Sequence, residues 1–170
     1  MCLEEKPARI RGIGEVIEPV NDFPTGAMVL VNPMIEISTP AIFKALEKKD
    51  NSPLPEMPAE FENMKALANW LKTCRNDLQK PSISQAAEIS EVLDLLASQP
   101  ETLLARMSGS GATCFALCET LEAAQKNRRP PTRNPQQLVD QDSTGLVWHY
   151  RVRNRSSPLS NDEPDQAHIC

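Results

Sequence analysis

Two apolar runs flank a short Gly-Ser segment, and this arrangement limits the fold more than anything else in the chain. Residues 103–107 and 113–118 have the length and character of strands, and Ser108-Gly109-Ser110-Gly111-Ala112 stands between them. A continuous apolar run of this length reads as a strand buried against other elements. Two glycines two positions apart let the backbone reverse, so the segment predicts a tight turn between paired strands. Successive N–H groups in such a turn can form a concave nest for an anion, with the Ser108 and Ser110 hydroxyls as further donors. The segment matches neither the P-loop spacing nor the dinucleotide fingerprint. Taken alone, it is a hairpin turn.

The rest of the chain divides around this hairpin. Residues 14–20, Gly-Glu-Val-Ile-Glu-Pro-Val, alternate briefly and predict a strand. Residues 27–31, Ala-Met-Val-Leu-Val, predict a buried one that ends at Asn32-Pro33. Ser38-Thr39-Pro40 is a helix start, with a hydroxyl to cap the free N–H groups and Pro in the first turn; the helix should run to about Lys48. Pro53, Pro55 and Pro58 mark a loop over 50–60. Phe61, Met64, Leu67, Ala68 and Leu71 form one face of a second helix. Ser82 and Gln85 have the spacing of a capping box before Ile89, Val92, Leu93 and Leu96. A further helix should follow from Glu119 to about Lys126. Arg128-Arg129-Pro130-Pro131 then breaks any helix, and the remaining residues lack periodicity. The C-terminal tail should therefore be poorly ordered.

Composition removes several function classes. The formal net charge of −5 argues against a nucleic-acid surface, which needs a clustered positive field. The Arg128-Arg129, Arg151, Arg153 and Arg155 cluster reads as solvated charge rather than as a binding arm. No run approaches the roughly 18 apolar residues of a membrane span. Met1-Cys2-Leu3-Glu4-Glu5-Lys6 lacks the basic and apolar regions of a signal peptide, so the cytoplasm is the expected compartment. Five cysteines at irregular spacing imply no disulfide framework. Cys114 and Cys118 lie in an apolar run and read as buried thiols. His149 and His168 are the only histidines and both lie in the tail, so no metal site is expected.

Four segments, in order, carry a resemblance. Met107-Ser108-Gly109-Ser110-Gly111-Ala112-Thr113-Cys114-Phe115-Ala116-Leu117 resembles the third motif of the GHMP kinases, in the form typical of the diphosphocytidyl-methylerythritol kinases. Gly12-Ile13-Gly14-Glu15 resembles that family's Gly-x-Gly-Glu segment. Val31-Asn32-Pro33 with Ser38-Thr39-Pro40-Ala41-Ile42-Phe43 resembles its next strand and helix start. Arg75-Asn76-Asp77-Leu78 resembles its Asn-Asp-Leu segment. Together they cover residues 1 to about 125. No single segment is specific, but the ordered set is.

The resemblance implies an α+β fold, the C-terminal, substrate-side half of a GHMP kinase over residues 1–125, followed by a disordered or out-of-frame tail over 126–170. It implies transfer of the γ-phosphoryl of ATP, with Mg2+, to the 2-hydroxyl of 4-diphosphocytidyl-2-C-methyl-D-erythritol, a small-molecule substrate of the non-mevalonate route to isoprenoids. Such a reaction needs positioning and charge stabilisation more than covalent chemistry. Phe43 matches the position whose ring stacks on the cytosine, and Ile13 a small aliphatic lining the same pocket. Thr39 matches a position beside the substrate, although a role in capping its helix would account for it. Ser108, Gly109, Ser110, Gly111 and Ala112 match the loop of the phosphate region. Periodicity alone would instead put Phe43 on the core face of its helix.

Other family parts have no counterpart. The sequence holds no Pro-x-x-x-Gly-Leu-Gly-Gly-Gly-Ser-Ser phosphate loop and no Gly-Ala-Asp-Val-Pro segment with its catalytic Asp. No residue of this chain is therefore expected to be catalytic. The fragment alone is expected to be inactive and to bind no cofactor tightly. The missing N-terminal half is a candidate partner, and a non-enzymatic remnant or binding module with a partial nucleotide pocket is the alternative reading. In the tail, Gln136-Gln137-Leu138-Val139-Asp140-Gln141 stands where relatives carry a Trp-Trp strand. A one-base shift of that stretch can encode such a strand, which is the basis for expecting an out-of-frame tail.

Overall fold

The computed structural model describes residues 7–12, 14–20, 23–127 and 147–151. The predicted hairpin is present: β4 (Leu104–Met107) and β5 (Cys114–Cys118) pair antiparallel, with Met107 opposite Cys114. β5 pairs on its other edge with β3 (Ala27–Asn32), the buried strand expected over 27–31, in a register that sets Leu30 opposite Phe115. β6 (Val147–Arg151) lies along the far edge of β3, giving an antiparallel sheet in the order β4-β5-β3-β6. The sequence reading placed no strand at β6. The remaining residues of 128–170, with the codon-shift reading of 136–141, lie outside the described residues, as does Ile13.

Alternation along β3 and β5 decides which face is covered. Ala27, Val29 and Val31 are buried with Cys114, Ala116 and Cys118, and two helices close over them. These are α4 (Glu88–Ala97), which contributes Ile89, Val92 and Leu96, and α5 (Leu121–Asn127), which contributes Ala123 and Ala124. On the opposite face, Leu104 and Leu117 pack with Phe61 and with Met64, Leu67 and Ala68 of α2 (Met64–Thr73). The β4–β5 hairpin is thus covered by helices on both faces. The expected apolar face of α2 is correct, but Phe61 precedes the helix and packs against Trp70 at 5.6 Å between ring centres. Asn63 is the true N-cap, its side chain accepting from the Ala66 N–H at 3.0 Å.

Two local expectations need correction. Ser82 caps nothing: it lies inside α3 (Gln79–Gln85), fully buried, and α4 begins after Ala87 without a side-chain cap. Glu88 and Glu91 in the first turn of α4 complement its dipole instead. The helix expected to reach Lys48 is the short α1 (Thr39–Lys44), preceded by Ser38, whose hydroxyl makes no capping bond.

A second strand was also not anticipated. β1 (Ala8–Arg11) pairs with β2 (Val16–Pro19), the latter falling within the strand expected over 14–20. The ribbon sets Ile10 opposite Ile17, both about half exposed, and is tied by an Arg11–Glu18 ion pair at 2.6 Å.

Candidate functional site

The Gly-Ser turn becomes a site because three separate segments fasten it. Ser108 N–H donates to the Thr113 carbonyl at 2.8 Å and Gly111 N–H to the Ser108 carbonyl at 2.9 Å, which closes the turn on itself. Gly109 and Gly111 have φ of +53° and +89°, conformations that favour glycine. From α1, the Thr39 hydroxyl meets the Ser110 hydroxyl at 2.8 Å. From the turn between α2 and α3, the Asn76 side-chain amide donates to the Met107 carbonyl at 3.1 Å and the Gly109 carbonyl at 2.9 Å. From α3, buried Ser82 donates to the Ser110 carbonyl at 2.8 Å. Ser108 and Gly109 are exposed, whereas Ala112 is buried beneath them.

The carbonyls of the turn are therefore drawn towards Asn76 and Ser82. Among the described residues, no carbonyl or side chain accepts from the Gly109 and Ser110 amides. An exposed turn with free amides and two serine hydroxyls is chemistry for an anion, phosphate oxygens in particular. Mg2+ would require oxygen ligands that include carboxylates. No carboxylate is among the turn's hydrogen-bond partners, and the described residues hold no group of three or more His, Cys, Asp or Glu placed for a metal.

Thr39 and Phe43 are four residues apart on α1 and so share a face. Ile42 is fully buried, while Phe43 is 51% exposed. The core role that periodicity favoured for Phe43 belongs to its neighbour. Thr39 likewise does not cap its helix; it is the first helical residue and its hydroxyl reaches Ser110. The structure thus brings Thr39 and the 108–112 turn together and leaves the Phe43 ring open on the same helix face.

Asn76 and Ser82 escaped the reading of the residues as site components. Asn76 Oδ1 also accepts from the Leu78 N–H at 3.1 Å, an Asx turn that its position ahead of a helix could have signalled. Ser82 was read as a cap because its spacing to Gln85 fits one. Beside them, Arg75, Lys80 and Arg106 line an open depression of about 480 Å³. Asp77 pairs with Arg75 at 2.9 Å, Glu47 lies 3.8 Å from Lys80, and the Cys74 carbonyl accepts from Arg106.

The buried thiols take no part in this site. Cys74, Cys114 and Cys118 are free and buried. Burial pushes the Cys114 thiol up to about 11. Burial also raises Cys118, against a smaller opposing effect of the hydrogen bond from Asn127. Among the described residues, no helix is long and apolar enough to cross a membrane.

Comparison with known proteins agrees with this architecture. The chain is 46% identical over 134 residues to a 4-diphosphocytidyl-2-C-methyl-D-erythritol kinase of Roseobacter denitrificans, covering 79% of this chain and 45% of that protein. It is 47% identical over 125 residues to the protein of the same name from Dinoroseobacter shibae, covering 74% and 44%. The chain thus spans less than half the length of these curated relatives. A crystal structure of 4-(cytidine 5'-diphospho)-2C-methyl-D-erythritol kinase shares the fold, with a TM-score of 0.56 at 24% identity over 72% of this chain and 44% of that one. Residues 42–130 match the family described as GHMP kinases C terminal. The match runs from within α1 through α5 and includes the 108–112 turn, and the chain belongs to that family.

Proposed function

We propose that residues 1–125 form the substrate-side domain of a kinase that moves the γ-phosphoryl of ATP to the 2-hydroxyl of 4-diphosphocytidyl-2-C-methyl-D-erythritol. The observation that carries this reading is the shared face of α1, where exposed Phe43 lies one turn from Thr39 and its bond to Ser110. A half-exposed ring is suited to stack on a nucleobase. The turn at Ser108, Gly109, Ser110, Gly111 and Ala112 supplies amides and hydroxyls for the diphosphate. The resemblance adds Ile13, which lies outside the described residues, to the substrate contacts of this reading.

This chain supplies recognition, not chemistry. The ATP site, the general base and the Mg2+ ligands belong in this reading to the N-terminal half that this sequence does not contain; no carboxylate is among the hydrogen-bond partners of the 108–112 turn. The relatives' names support the substrate, and the lack of a Gly-rich phosphate loop in this sequence supports the division of labour. The metabolic setting of such a substrate is the cytoplasm.

The test is a titration of the 170-residue chain with cytidine, followed through the Phe43 ring resonances. Saturable shifts with cytidine, and weaker ones with adenosine, are expected at millimolar concentration because one face of the base is covered. Unmoved ring resonances would remove the base-stacking role. In a phosphoryl-transfer assay the chain alone is expected to give no product, with activity appearing when an N-terminal half is supplied.

A further inference from the structure

We propose that Asn76 is a positioning residue that sets the 108–111 turn in its anion-accepting form; the proposal rests on the reading that this turn takes the diphosphate of the ligand. One residue does three things at once. Its amide group holds the carbonyls of Met107 and Gly109, on either side of Ser108, at 3.1 and 2.9 Å. Its oxygen accepts from Leu78 N–H at 3.1 Å, which fixes the side chain relative to the chain entering α3. Its own carbonyl accepts from Gln79 N–H at 3.1 Å, so its backbone is part of the same turn.

The direction of these bonds is what matters. A peptide unit presents its N–H and C=O on opposite sides. Pulling the Gly109 carbonyl towards Asn76 therefore turns the following amide, that of Ser110, away from Asn76. Ser82 holds the next carbonyl, that of Ser110, from a fully buried position, while the Gly111 amide beyond it closes the turn on the Ser108 carbonyl. Without these anchors, a turn containing two glycines would populate other conformers, and an incoming anion would have to order it. Asn76 touches no ligand in this reading; it acts through the peptide groups it holds.

Two variants separate this role from a general contribution to folding. Asn76→Asp keeps the acceptor for Leu78 N–H and removes both donors to the turn. Asn76→Ser keeps a hydroxyl able to accept from Leu78 N–H and is too short to hold both carbonyls. In each, amide exchange at Ser108 and Gly111 should quicken about tenfold, while exchange in β3 stays at the wild-type rate. Affinity for cytidine diphosphate should fall on the order of tenfold towards that of cytidine, with cytidine affinity held within about twofold. Unchanged exchange at Ser108 and Gly111 overturns the clamp. Faster exchange with unchanged cytidine diphosphate affinity overturns its positioning role. If the wild-type chain binds neither ligand, the base-and-diphosphate reading itself fails, and the proposal that rests on it fails as well. A clamp that exchange still detects is then structural only.

Discussion

The hydroxyls of Thr39 and Ser110 meet at 2.8 Å across 71 residues of sequence, joining the first turn of α1 to the tip of the β4–β5 hairpin. The bond links the segment that carries Phe43 to the segment that offers backbone amides. Thr39→Val keeps the shape and removes the hydroxyl. Because the site is exposed, the expected loss of stability is about 0.5–1 kcal/mol, read by urea denaturation. Ser110→Ala should give a similar loss, and the double variant should lose less than the sum of the two. Strictly additive losses would mean that the two hydroxyls do not act as a pair.

Neighbouring residues on α1 should respond in opposite ways. Ile42 is fully buried and Phe43 is half exposed. Ile42→Ala should cost about 2–5 kcal/mol of stability. Phe43→Ala should change stability by about 0.5 kcal/mol and abolish detectable cytidine binding. Thermal denaturation and ligand titration of the two variants, side by side, check both halves of this prediction.

The two glycines of the turn are unequal. A Cβ on Gly109 meets nothing within 4 Å, whereas one on Gly111 would lie 2.9 Å from Met107 Sδ and 3.3 Å from Ile89 Cδ1. Gly109→Ala carries only the backbone penalty of its positive φ, about 1 kcal/mol. Gly111→Ala adds overpacking against the core and should reach about 2–4 kcal/mol. Equal midpoints in denaturant for the two variants would contradict this ranking.

Burial of Cys114 has a consequence at alkaline pH. Its thiol stays protonated in the folded chain up to about 11, against about 9 for an exposed thiol. Between these values the unfolded chain has lost a proton that the folded chain retains. Stability is therefore full below pH 9 and falls as pH rises towards 11, by about 1.4 kcal/mol per pH unit from this group. Cys114→Ala should flatten that part of the profile, although it lowers stability at neutral pH. Denaturation midpoints at pH 8, 9, 10 and 11 measure the slope.

Long elements with clear periodicity were legible in the sequence. The apolar run 27–31 and the hairpin around residue 110 appear where their residues put them, and Met64, Leu67 and Ala68 face the core as their spacing requires. Two elements were read less well, α1 and β1. α1 has six residues, too few for a 3.6-residue period to separate Ile42 from Phe43. β1 has four residues and little apolar content, so only its pairing with β2 identifies it. Ser82 misled for a different reason: a hydroxyl ahead of an apolar run satisfies a capping pattern, but its tertiary partner, the Ser110 carbonyl, lies 28 residues away. The candidate site was legible in its parts. Its assembly by Asn76 and Ser82 was not, because those hydrogen bonds join segments that sequence spacing does not relate.

The central strand β3 finds its first sheet partner late in the chain. Asn32 at its end and Thr113 beside β5 are separated by 81 residues, yet they are joined by a hydrogen bond at 3.1 Å. At about 5–20 residues per second of synthesis, the Ala-Met-Val-Leu-Val run would emerge on the order of 4–16 seconds before β5 exists to receive it. During that interval both edges of an apolar strand lack their sheet partners, which is the condition for pairing with the wrong chain. Yield of native protein should therefore depend on how fast the ribosome crosses residues 33–113.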